Sequence, residues 1–171
     1  MVEVVLIVGP AGVGKTSVAN ELSLQLRAAG VAHAVVDTDA LDDVFPVPEE
    51  QWRLTERHLA AVWRSYRELG TERLVLTGVR LDEPDERAWI RRATGPERLT
   101  AIRLDAPVAT LERRVREREI GSGAAAQLER TRAQAEALHA AEGLVMIETD
   151  DRPVADIAAE IRALLGWSGH G

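Results

Sequence analysis

The sequence contains no cysteine and almost no lysine. Across its 171 residues, a single lysine, Lys15, stands beside twenty arginines. The absence of cysteine excludes disulfide bonds and thiolate metal sites, and it fits a cytoplasmic protein. Because arginine serves as the basic residue everywhere else, Lys15 marks a position where the two side chains are not interchangeable.

Positive charge and long apolar runs are also scarce. The formal net charge is −7 at pH 7, which argues against a general nucleic-acid or anionic-membrane binder, although a nucleotide needs only local positive charge. No apolar run approaches the roughly 18 residues that a membrane span needs. The start of the chain lacks the basic residues of a signal peptide. The 46% hydrophobic content suits one compact domain.

Apolar patterning alternates between strands and helices along the whole chain. Short apolar, β-branched runs predict five strands, at residues 2–8, 33–37, 73–78, 99–105 and 143–149. Helical spacing predicts helices at residues 15–29, 49–69, 83–93, 106–119, 124–141 and 153–165. This alternation predicts a single doubly wound α/β domain with a parallel sheet over residues 1–166, followed by a tail at 167–171.

The segment between the first strand and the first helix reads GPAGVGKT, from Gly9 to Thr16, and is called the P-loop below. It matches the phosphate-binding pattern G-x-x-x-x-G-K-[ST], and it follows a strand and opens a helix, as that pattern requires. Its glycines let backbone N–H groups and the helix N-terminus face phosphate oxygens. Lys15 would place a compact charge on the β- and γ-phosphates, and Thr16 would offer its hydroxyl to Mg²⁺. The predicted nucleotide-binding residues are Gly9, Ala11, Gly12, Val13, Gly14, Lys15, Thr16 and Ser17.

Two carboxylates, Asp37 and Asp39, come at the end of the second predicted strand. Ligands of α/β sheets bind at this edge, and alternation along an extended chain would point both side chains the same way. We expect Asp37 to hold Mg²⁺ with Thr16, and either Asp39 or Asp37 to accept a proton from an acceptor hydroxyl. The alternative is a solvated, acidic turn, since Asp42 and Asp43 follow.

Arginines follow two later strands. Arg80 comes just after the third strand and Gly78, where it could hold an anionic group on the acceptor; the alternative is a surface arginine. The stretch LERRVREREIGSG predicts a lid over about residues 116–130, in which at least one arginine stabilises the transferring phosphate. Arg116 is a candidate, and which arginine acts is open. The alternative is a solvated helix face with Glu–Arg pairs. Arg130, on the helix beyond, is a candidate for the acceptor side.

The chain resembles the small P-loop kinases in the order of its segments: the P-loop, the Asp-x-Asp pair, RLDAPVATLERRVRERE and ETDDRP. This family includes shikimate kinase, gluconate kinase and chloramphenicol phosphotransferase. The resemblance implies a five-stranded parallel sheet in the order 2-3-1-4-5, with helices on both faces and a mobile lid. It implies that an arginine at Arg113 or Arg114 covers the adenine, with Pro153 on the other side. Arg116 and Arg118 fall where the phosphate-contacting arginine of the lid would be.

The resemblance leaves the acceptor open. TGVRLD lacks the glycine run that shikimate kinase carries after its third strand, and REREIGSG lacks its Arg-Pro lid motif. We therefore expect an ATP- and Mg²⁺-dependent phosphotransferase acting on the hydroxyl of an unspecified small acceptor. One alternative is an antibiotic-type phosphotransferase, with Trp52 stacking on a ring of the acceptor rather than packing on the sheet. Another is a slow ATP-hydrolysing switch without a small acceptor. The oligomeric state is open.

Overall fold

A computed structural model describes residues 1–79, 86–118, 129 and 143–168 of the chain. Four predictions fall outside these residues: the helix at 124–141, most of the lid, and the two acceptor-side arginines, Arg80 and Arg130. Within the described part, none of the helices combines the length and the apolar character needed to cross a membrane.

Five parallel strands form one sheet in the order β2-β3-β1-β4-β5. They are β1 (Glu3–Val8), β2 (Ala34–Asp37), β3 (Arg73–Thr77), β4 (Arg98–Asp105) and β5 (Val145–Glu148). The central strand β1 has the sequence EVVLIV, which is apolar after its first residue. This pattern is typical of a parallel strand that is covered on both faces. The predicted fold class and strand order are confirmed, and each strand begins and ends within two residues of its predicted run.

The described helices also follow the prediction closely. They are α1 (Lys15–Ala28), α2 (Gln51–Glu68), α3 (Glu86–Thr94), α4 (Val108–Arg118) and α5 (Val154–Leu165). Prolines precede α4 and α5, and the carbonyl of Pro107 accepts hydrogen bonds from the first turn of α4. A short 3₁₀ helix, Thr38–Ala40, follows β2 and was not predicted from the sequence.

The core consists of two layers, one on each face of the sheet. Helices α1 and α5 cover one face and pack with Val5 and Ile7 of β1, whereas α2 and α3 cover the other with Leu6. Trp63 of α2 donates its indole N–H to the carbonyl of Thr94 at 3.0 Å, which joins α2 to α3. Trp167 is 3% exposed within the first layer, so the core includes the first residue of the predicted tail.

Candidate active site

A cavity of about 680 Å³ opens at the edge of the sheet where the parallel strands end. P-loop residues and the start of α1, from Ala11 to Val18, form one wall. The other described residues that line the cavity are Asp37, Asp39, Thr77, Gly78, Arg114, Thr149, Arg152, Val154 and Ile157. Loops after β1, β2, β3 and β5 therefore converge on one space.

The P-loop joins β1 to α1 with its backbone turned toward this cavity. Gly14, the N-cap of α1, has φ +103°, and no atom lies within 4 Å of the place where a Cβ would stand. Glycine is therefore needed for the backbone conformation, not for space. Gly14 makes no side-chain cap hydrogen bond at the start of α1, and the N–H groups at a helix N-terminus suit an anion.

Lys15 reaches back over the P-loop. Its Nζ donates to the carbonyl oxygens of Gly9 at 2.8 Å and Pro10 at 3.2 Å. Seven of the eight predicted nucleotide-binding residues line the cavity, whereas Gly9 does not and instead holds the lysine.

Asp37 and Asp39 both line the cavity, but the predicted reason is wrong. Asp37 is the last residue of β2, and Asp39 lies in the 3₁₀ helix that follows, so strand alternation does not align them. Instead, the backbone N–H of Asp39 donates to Oδ1 of Asp37 at 3.2 Å. The side chain of Asp37 thus caps the turn that brings Asp39 to the cavity.

Gly78 lies against this acidic turn. It has φ +76°, and a Cβ there would lie 2.6 Å from Oδ1 of Asp37 and 2.7 Å from the backbone nitrogen of Asp39. The adjacent Thr38 hydroxyl donates to the carbonyl of Thr77 at 3.1 Å, which fastens the turn to β3. The close approach of the two chains requires glycine at this position.

Gly78→Ala should therefore cost more stability than Gly70→Ala. Gly70 also has a positive φ, +82°, but no atom lies within 4 Å of its Cβ position. The conformational penalty of about 1–2 kcal/mol is common to both variants, and crowding adds about 2 kcal/mol at Gly78. Urea denaturation of the two variants measures the difference directly. Equal free energies of unfolding would contradict the crowding.

Of the four predicted α4 arginines, Arg118 has a side chain outside the described part of the structure, and the other three do not behave alike. Arg114 lines the cavity. Arg116 pairs with Glu112 at 3.0 Å and Arg113 with Glu117 at 3.5 Å; both side chains are more than half exposed, and neither lines the cavity. The structure thus brings one of the three to the site and shows, for the other two, the Glu–Arg pairs of the alternative interpretation.

Sequence reasoning missed several residues on the far side of the cavity. Pro153 itself does not line the space, but its neighbours Arg152 and Val154 do, and so does Thr149. Arg152 donates to the Glu148 carbonyl at 3.1 Å and to a Glu160 carboxylate oxygen at 2.7 Å. The signal that could have found them was the position of ETDDRP, directly after β5 at the ligand-binding edge.

A second cavity of about 260 Å³ shares Asp39 and Gly78 with the first. Its other described lining residues are Thr38, Asp42, Glu49, Gln51, Trp52, Thr55, Glu86 and Trp89. The hydrogen bonds that order this wall include two between side chains: Thr55 Oγ1 donates to Asp42 Oδ2 at 2.6 Å, and Trp89 Nε1 donates to Glu86 Oε2 at 3.0 Å. The two spaces therefore meet at Asp39.

Trp52 lies at the rim of this second cavity and is 39% exposed. The guanidinium groups of Arg53 and Arg92 lie 5.2 and 5.9 Å from the centroid of its ring. Arg92 is in turn held by two hydrogen bonds to the Glu56 carboxylate, at 2.9 and 2.8 Å. Arg53 and Arg92 thus contact the Trp52 ring, which was predicted as a candidate for stacking on the acceptor.

The parallel sheet, its strand order and the P-loop at the end of β1 define a P-loop NTPase fold of the kinase type. The model of the AAA domain family matches residues 5–137, and the chain belongs to that family. None of the curated proteins matches the chain.

Solved structures of small kinases and of an antibiotic resistance protein share the fold. A gluconokinase from Sinorhizobium meliloti 1021 is 21% identical, with a TM-score of 0.59 over 96% of this chain and 91% of the other. The Deinococcus radiodurans tunicamycin resistance protein is 17% identical, with a TM-score of 0.69 over 98% of both chains. Shikimate kinase from Acinetobacter baumannii is 18% identical, with a TM-score of 0.58 over 97% and 94%. The predicted resemblance to this group of proteins is confirmed.

Proposed function

We propose that the protein is an ATP- and Mg²⁺-dependent phosphotransferase that moves the γ-phosphate to a hydroxyl of a small acceptor. The observation that carries this proposal is the pair of adjoining cavities. One cavity contains the P-loop, the other has no P-loop residue in its lining, and a carboxylate, Asp39, belongs to both. This arrangement suits transfer between two bound molecules.

The P-loop is the nucleotide's anchor in this proposal. Its N–H groups and the N-terminus of α1 bind phosphate oxygens, and Lys15 turns from the carbonyls of Gly9 and Pro10 toward the β- and γ-phosphates. Thr16 and Asp37 line the same cavity and would supply oxygen ligands for Mg²⁺ beside the phosphates. When bound, the ion neutralises phosphate charge.

Among the described residues, no group of three or more histidines or carboxylates could form a protein-only metal cage. That agrees with an ion held by one or two side chains together with the phosphates of the nucleotide.

Asp39 is the favoured proton acceptor because it lies between the two cavities. The acceptor oxygen attacks the γ-phosphorus and its proton passes to the carboxylate. The bond from the γ-phosphorus to the β–γ bridging oxygen breaks, and ADP leaves with that oxygen. Asp37 would contribute to Mg²⁺ binding and hold Asp39 through the 3.2 Å hydrogen bond.

The remaining arginines have conditional roles. Arg116 reaches the phosphates only if it leaves Glu112, and Arg113 reaches the adenine only if it leaves Glu117. Binding of the acceptor by Arg80 and Arg130 stays a prediction. Contact between Pro153 and the adenine also stays a prediction.

The charge of the second cavity predicts which acceptors are used. Four carboxylates, Asp39, Asp42, Glu49 and Glu86, line it, and its described lining contains no arginine, lysine or histidine. Anionic acceptors are disfavoured beside carboxylates such as those of Asp42 and Glu49. We expect acceleration of ADP release by neutral or amine-bearing hydroxyl compounds, in preference to acids.

The matching experiment measures ADP release from Mg-ATP with gluconate, glucose and glucosamine, which share a carbon skeleton and differ in charge. Shikimate, nucleosides, aminoglycosides and chloramphenicol-like compounds extend the panel. Acceleration by acids alone would contradict the charge argument and would favour an acceptor anion held by Arg80. Slow ADP release that no acceptor changes would favour the ATP-hydrolysing switch. Acceleration by an antibiotic alone would favour the resistance-type phosphotransferase.

A further inference from the structure

A buried hydroxyl lies where the P-loop, β4 and α4 meet. Thr149 directly follows β5 and is 2% exposed. Its Oγ1 lies 3.1 Å from the carbonyl oxygen of Asp105, 3.4 Å from that of Val13 and 3.3 Å from Nη1 of Arg114. Its backbone N–H donates to the same Asp105 carbonyl at 2.8 Å. This one side chain therefore contacts the P-loop, the end of β4 and the middle of α4 around the first cavity.

The hydrogen bonds of Thr149 have a defined direction. A hydroxyl has one proton, which it donates to one carbonyl at a time, and the nearer carbonyl is that of Asp105. Its oxygen accepts from Arg114 Nη1, while Arg114 Nη2 donates to the Thr149 backbone carbonyl at 3.2 Å. The guanidinium is therefore held at two points by one buried residue.

Arg114 differs from its neighbours on α4 in what it contacts. Arg113 and Arg116 pair with glutamates, which offset their charge. Arg114 takes part in none of the ion pairs recorded among residues 1–79, 86–118, 129 and 143–168, and it contacts a hydroxyl and a carbonyl instead. Within the described part of the chain, no paired anion therefore offsets its positive charge at the cavity that it lines.

We infer that Thr149 is a positioning residue that orients Arg114, one of the two arginines for which the family resemblance implies contact with the nucleotide. This inference rests on the proposed function, in which the first cavity binds ATP. An arginine over the adenine would interact equally with the ground state and the transition state, so we expect this pair to contribute to nucleotide binding and not to the chemical step. Thr149→Val removes the hydroxyl and keeps the branched shape, whereas Thr149→Ser keeps the hydroxyl.

Isothermal titration of ATP and ADP into the full chain tests the inference. We expect Thr149→Val to raise the Kd about tenfold, and Thr149→Ser to stay within about twofold of wild type because its hydroxyl can still accept from Arg114. Arg114→Ala should raise the Kd about thirtyfold, more than Arg113→Ala or Arg116→Ala does. In turnover assays, Thr149→Val should raise the KM for ATP with kcat unchanged.

Circular dichroism and thermal melting establish that each variant is folded, and Thr110→Val, on α4 away from the cavity, controls for the loss of a threonine hydroxyl. If Thr149→Val does not fold, Arg114→Ala and Thr149→Ser still test the pair.

The inference is overturned if folded Thr149→Val or Arg114→Ala binds ATP like wild type, or if Arg113→Ala or Arg116→Ala causes the larger loss. Absence of ATP binding by the wild-type protein would overturn the proposed function as well, whereas wild-type binding with unaffected variants overturns this inference alone.

Discussion

Lys15→Ala should lower the rate of ADP formation by about 10³-fold while leaving the protein folded. The lysine begins α1 at the end of the P-loop, and its Nζ donates to two carbonyls of the same loop, those of Gly9 and Pro10. Loss of its charge removes stabilisation that the phosphates need most in the transition state, where an interaction of this kind is worth about 10²–10³ in rate. A coupled assay for ADP, with circular dichroism as the test of folding, measures the effect.

Lys15→Arg is the matched variant, since it keeps the charge and changes only the geometry. We expect it to lose most of the activity too, because a planar guanidinium does not replace a compact ammonium within the loop. Wild-type turnover by a folded Lys15→Ala protein would rule out the proposed mechanism. Wild-type turnover by Lys15→Arg would instead remove our explanation for the one lysine in an arginine-rich sequence.

Asp39→Asn should lower kcat by about 10²–10⁴-fold, the range typical of a general base. The amide keeps the size of the side chain but cannot take the acceptor's proton. Asp37→Asn should act differently, because Asp37 would hold Mg²⁺: we expect a higher Mg²⁺ concentration at half-maximal rate. Initial rates at varied acceptor and Mg²⁺ concentrations separate the two effects.

Asp43→Asn is the control for this pair, since Asp43 is exposed and lines neither of the two cavities. A loss of kcat in Asp37→Asn with little change in Asp39→Asn would reverse the assignment of the two aspartates. Unchanged kinetics in both variants would return the segment to the alternative interpretation, a solvated turn whose function is structural. The Asp37 side chain caps the turn through the backbone N–H of Asp39, so the stability of Asp37→Asn must be measured alongside its activity.

Much of the site could be predicted because its signals are local. The P-loop pattern lies within eight consecutive residues, and its chemistry demands particular side chains at particular spacings. The strands were recognisable because a parallel strand covered on both faces must be apolar along its length, as VVLIV is in β1. The aspartates were found by their place after a strand, although the turn that orients Asp39 was not predicted.

Other parts of the site depend on contacts between distant parts of the chain. Thr149 contacts Val13, although 136 positions separate them along the sequence, and no local pattern distinguishes this threonine from others. Arg113, Arg114 and Arg116 have the same chemistry and lie on one helix. Only the packing of α4 decides that Arg114 faces the cavity while the other two pair with glutamates.

The amino-acid sequence was thus sufficient for the fold class and the phosphate-binding loop, because apolar periodicity and motif spacing are properties of neighbouring residues. The strand order followed from the family resemblance. The tertiary structure alone decided which arginine reaches the first cavity, how Gly78 and the Asp37–Asp39 turn fit together, and that a second, acidic cavity adjoins the first. Those features arise where separate strand ends and helices meet, and side-chain packing across such junctions has no counterpart in local sequence.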